Sequence, residues 1–155
     1  MKLKYFSSKC CFPIIPFEFK DKLLFTSTVE LNNKEITLLN YSLVWLEKQI
    51  QKDNISHDSL TRVTCIFYDT DEIIIDMQNT LGAYSPMIFY NVKKWRNNNY
   101  NDTAILTTIL EELCHCYYHY EEEILVKKKV LQVLHANISN LPPNGAYTTG
   151  ALLGL

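Results

Sequence analysis

Residues 105–120 carry apolar side chains at Ile105, Leu106, Ile109, Leu113, Cys116, Tyr117 and Tyr120. A strand of period two cannot align that three-and-four spacing, whereas a helix of 3.6 residues per turn gathers it along one flank. A flank this apolar has to be buried against something, so the rest of the chain must provide a surface for the helix to lie on. The opposite flank is as distinctive. With Glu112 set at zero and about 100° per residue, Glu111, His115 and His119 fall near -100°, -60° and -20°, so the four polar side chains span roughly a third of the circumference.

The surface the helix needs is legible upstream. Residues 23–31 read as a strand. From Thr37, a plausible N-cap, Leu38, Leu39, Tyr41, Ser42, Trp45, Leu46, Gln49 and Ile50 follow helical spacing until Asp53-Asn54 stops them. Strands are expected at 62–68 and 72–77, joined as a hairpin through Asp69-Thr70-Asp71, and at 87–92 after Gly82 and Pro86. The asparagines of 97–101 make a polar loop, Asp102 or Thr103 caps the long helix, and the helical pattern is firm to Tyr120 and extendable to Leu134. This order predicts an α+β fold: an antiparallel sheet of three to four strands with two main helices. A chain of 155 residues suits one domain, expected over 1–141. Pro142-Pro143-Asn144-Gly145 opens an irregular apolar tail over 142–155.

Composition narrows the partners. A net charge of -2 lacks the positive field that phosphate backbones select for, so no nucleic acid is expected. Lys93-Lys94-Trp95-Arg96 reads as a strand end where Trp95 packs and the lysines stay wet. No apolar run approaches the roughly 18 residues of a membrane span. The apolar run of 10–17 is broken by Pro13 and Pro16 and ended by Glu18, unlike a signal peptide. The five cysteines, Cys10, Cys11, Cys65, Cys114 and Cys116, form no framework and read as reduced, packed thiols. A cytoplasmic protein is expected, with a peptide or protein as partner.

The polar flank suggests chemistry. Imidazole nitrogen and carboxylate oxygen are ligands for divalent transition metals, and residues four apart on a helix reach one ion without strain. Glu111, His115 and His119 are the candidate metal ligands, with Glu112 free to deprotonate a metal-bound water and Glu122, Glu123 or His57 as further donors. Glu111-Glu112-Leu113-Cys114-His115 resembles the His-Glu-x-x-His signature of the zincin metallopeptidases, with Glu111 in place of the first histidine. The element order over 38–125 is similar to the zincin half-domain. The resemblance implies zinc as cofactor and attack of metal-activated water on a peptide bond, by a divergent or impaired enzyme. Two other readings stand beside it. The stripe is also what a solvated helix face looks like, and ten tyrosines with an apolar tail suit a non-enzymatic protein-interaction module.

Overall fold

The computed structural model describes residues 12–73 and 86–141. β1 (Leu23–Ser27) leads through α1 (Asn33–Lys52) to β2 (Val63–Tyr68). β3 (Met87–Asn91) runs directly into α2 (Val92–Asn97), followed by α3 (Asp102–Tyr118) and α4 (Glu123–Asn137). β2 is central, and both of its pairings are parallel, Leu23 lying beside Val63 and Thr64 beside Met87. The expected antiparallel sheet is therefore corrected to a parallel one, and the two main helices to four among the described residues. A strand joined to its neighbour through a twenty-residue helix returns pointing the same way, and strand periodicity carries no information about that direction. Among the described residues, β1 and β3 occupy the two edges of β2. Residues 74–77, like the Gly82 turn, Cys10-Cys11 and the tail at 142–155, lie outside the described residues.

α1 begins before Thr37 because Asn32 and Glu35 form a capping box. The Asn32 Oδ1 accepts the Glu35 N–H at 2.9 Å, and the Glu35 Oε2 accepts the Asn32 N–H at 2.8 Å. Glu35 is only 3% exposed. Its charge is met by Arg96 of α2, whose Nε and Nη2 each donate to a Glu35 oxygen at 2.8 Å, while Nη2 also donates to the Glu30 carbonyl. The fork fixes the start of α1 to α2.

One face of the sheet, with Val63, Cys65, Phe67, Ile88 and Tyr90, packs into a continuous core with Leu39, Leu43 and Leu46 of α1 and Ile109, Leu113 and Tyr117 of α3. Val126 and Val130 of α4 extend the same core. Of the apolar flank read from the sequence, Ile105, Leu106, Ile109, Leu113 and Tyr117 are buried and Cys116 and Tyr120 half-buried, while Leu110 and Cys114 are buried beside them. The Tyr90 hydroxyl donates to the Ile109 carbonyl at 3.1 Å, which pins α3 to β3. Cys65 and Cys114 are buried and Cys116 is half-buried; all three are free thiols. Burial pushes each thiol up. Among the described residues, no helix is long and apolar enough to cross a membrane.

A polar network joins α1, α3 and α4. The Asp53 carboxylate accepts hydrogen bonds from Tyr118 Oη at 2.7 Å, Lys129 Nζ at 2.8 Å and Gln49 Nε2 at 2.9 Å. Burial opposes charge on Asp53, but these three donors together hold its carboxyl below the ordinary value. A folded-state value below the unfolded one of about 3.9 stabilises the fold above that pH, and the contribution disappears as pH falls through the folded value. Asp53→Asn should therefore cost about 1–2 kcal/mol at pH 7 and flatten the acid limb of stability below about pH 4. Urea titrations of both proteins at pH 3 and pH 7 check this; equal losses at the two pH values would contradict it.

Candidate functional site

The structure separates the stripe. α3 ends at Tyr118, and His119 takes a left-handed conformation, φ 53°, as its C-cap. A side chain that has left the helix no longer stands one turn above His115. His115 is half-buried and engaged at both ring nitrogens by the turn into α4. Its Nδ1 lies 2.7 Å from the Tyr120 carbonyl and its Nε2 3.2 Å from Glu123 Oε1. A carbonyl only accepts, so Nδ1 carries the proton of that contact, and Nε2 donates to Glu123 when the ring is protonated. Glu111 is half-buried, Glu112 is exposed, and Glu122 precedes α4 as its N-cap residue. His57, the remaining suggested donor, faces Asp58 at 3.7 Å. Of the expected ligands and alternates, His115 and Glu123 meet.

Glu112 belongs instead to a cleft of about 250 Å³ at the carboxyl ends of β2 and β3. Tyr68 and Asn91, the last residues of those strands, are register partners and both line it. Open α/β sheets bind ligands outside the carboxyl ends of their parallel strands. Tyr90 and Trp95, both buried with ring centroids 5.8 Å apart, contribute apolar lining. Tyr100, 38% exposed, adds accessible ring surface beside Tyr68, and Phe89 borders the cleft from β3. Burial above all, with nearby charge including that of Glu112, raises the Tyr90 phenol well above its ordinary value, so it remains a donor to α3 and does not act as an acid.

Short-range caps place the polar groups. The Asn91 side chain accepts the Lys94 N–H at 3.1 Å and starts α2, which sets Lys94 on its first turn. Asn99 turns the chain at φ 49°, and the Tyr100 N–H donates to the Trp95 carbonyl at 3.0 Å, folding Tyr100 back toward the cleft. Asn101 then caps α3 through the Ala104 N–H at 2.8 Å. Lys94 and Glu112 line the same cleft, yet the side chain of neither makes a hydrogen bond or ion pair among the described residues. The cleft, at about 250 Å³, is smaller than the roughly 300–1,000 Å³ typical of small-molecule pockets, which suits short side chains of a peptide better than a nucleotide-sized cofactor.

Sequence reasoning singled out Glu112 for another purpose and assigned Lys94 and Trp95 to a strand end. The readable signal was Asn91 followed by Val-Lys-Lys-Trp-Arg, a capping residue ahead of a short helix. Nothing in the sequence distinguished Tyr68 and Tyr100 from the other tyrosines.

Compared with known protein families, curated proteins and solved structures, the chain matches none. Among the described residues no group of three or more His, Cys, Asp or Glu is placed to hold a metal ion. That finding, together with the parallel sheet, overturns the resemblance to the zincin metallopeptidases.

Proposed function

We propose that the protein is a non-enzymatic interaction module of the cytoplasm that takes a peptide segment of a partner protein into the tyrosine-lined cleft at the carboxyl ends of β2 and β3. The observation that carries this reading is the cleft itself, a space of about 250 Å³ lined by Tyr68 and Tyr100 beside the buried Tyr90 and Trp95. Tyrosine supplies large, rigid contact area with a polar tip and is enriched where proteins meet. The free thiols of Cys65, Cys114 and Cys116 suit a reducing compartment. The hydrolase expectation had Glu111, His115 and His119, or two of them with a residue elsewhere, share one metal ion with Glu112 as base. With His115 engaged by Tyr120 and Glu123, Glu112 enters here as a recognition group.

The test is a random-peptide display selection on the wild-type protein, followed by titration of the synthesised binders. Tyr100→Ala is expected to weaken them at least tenfold, about 1.4 kcal/mol. Val44→Ser, on the exposed face of α1, should leave them unchanged. A selection that enriches nothing, or binders indifferent to Tyr100→Ala, refutes the proposal.

A further inference from the structure

We infer that the segment taken by the cleft is dipolar, with a basic side chain facing Glu112 and an acidic one facing Lys94; this rests on the peptide-binding reading above. The two charges line one cleft without a hydrogen bond or ion pair to each other or to any described residue. Both are water-solvated now, Lys94 on α2 and Glu112 on α3 being exposed. A ligand filling the cleft beside Tyr68 and Tyr100 displaces water from the parts of both that line it. A buried charge left without a partner costs more than the contact area returns.

An apolar segment would leave two such charges, and a segment of one sign would satisfy one and repel the other. A ligand carrying both signs leaves neither stranded. The aromatic lining favours the same arrangement, because rings attract cations. The order of charges is therefore fixed by the fold: acid toward the start of α2, base toward the middle of α3.

The experiment uses the peptides enriched on the wild-type chain, each synthesised in three forms: as selected, with its acid and base exchanged, and with both replaced by serine. Affinities are read by fluorescence anisotropy. The selected peptides are expected to hold one basic and one acidic residue at fixed positions, and to lose at least tenfold in affinity on either exchange or serine replacement. Glu112→Lys and Lys94→Glu should each weaken the selected form at least tenfold. The doubly reversed protein should prefer the exchanged form by a similar factor. Glu112→Gln and Lys94→Met, which remove charge without reversing it, serve as the second pair and should weaken binding in the same direction. Binders that depend on Tyr100 but carry no charge or a single sign overturn this inference and leave the peptide reading intact. A selection that yields no binder overturns both.

Discussion

Replacing Arg96 by alanine is expected to destabilise the protein by about 3–5 kcal/mol, because it strips the counter-charge from a carboxylate that water does not reach. Glu35 is 3% exposed and receives two of its hydrogen bonds from Arg96. The Asn32 N–H stays in place in the variant, so the carboxylate keeps one donor and loses the fork. At about 2–4 °C per kcal/mol for a chain of this size, the melting temperature should fall by roughly 10 °C. A second substitution separates charge from shape. Glu35→Gln added to Arg96→Ala keeps a capping-box side chain while removing the stranded charge, and should recover part of the loss. Thermal melts of the single and double variants check both statements. A loss below 1 kcal/mol for Arg96→Ala would mean that Glu35 is not held as described.

Phe67→Ala should cost about 3–5 kcal/mol, by lost burial and by the cavity left in the central strand. Phe67 is fully buried, stacks on Tyr90 with centroids 5.1 Å apart and touches Phe25 at 5.8 Å. Tyr90 in turn anchors α3 through Ile109, so the cavity loosens the support of the helix that carries Glu112. The informative comparison is Phe89→Ala on the neighbouring strand. Phe89 is 40% exposed on the other side of the sheet and should cost well under half as much. Denaturant titrations that gave the two substitutions equal losses would place the strands' buried faces the wrong way round.

The individual elements were largely readable in the chain, and their partnerships were not. Val63, Cys65 and Phe67 alternate toward the core as a strand pattern requires, and Ile109, Leu113 and Tyr117 fall on the flank their spacing selects. Both signals are local. Whether β2 runs with or against β3 depends on the path of the connection, which hydropathy does not encode. The start of α1 was legible as Asn32-x-x-Glu35, but Thr37 competes with it as a cap, and the burial of Glu35 under Arg96 decides the matter only in three dimensions. The end of α3 had less to announce it. No glycine marks position 119, so a histidine in a left-handed conformation broke a stripe that looked continuous. Glu112 was recognised as a chemically interesting side chain, but its neighbours in the cleft come from β2, β3 and α2, which no pattern within α3 could supply.

The three parallel strands also set the order in which this chain acquires its structure. Leu23 pairs with Val63 across the whole of α1, so the first two strands cannot zip together from a tight turn. Closing such loops costs entropy before any pairing returns it. Isolated helices form and melt within about a microsecond, so α1 and α3 flicker early while the sheet waits for distant segments to find one another. The cleft, made where the strand ends meet α2 and α3, is therefore among the last features to appear during refolding.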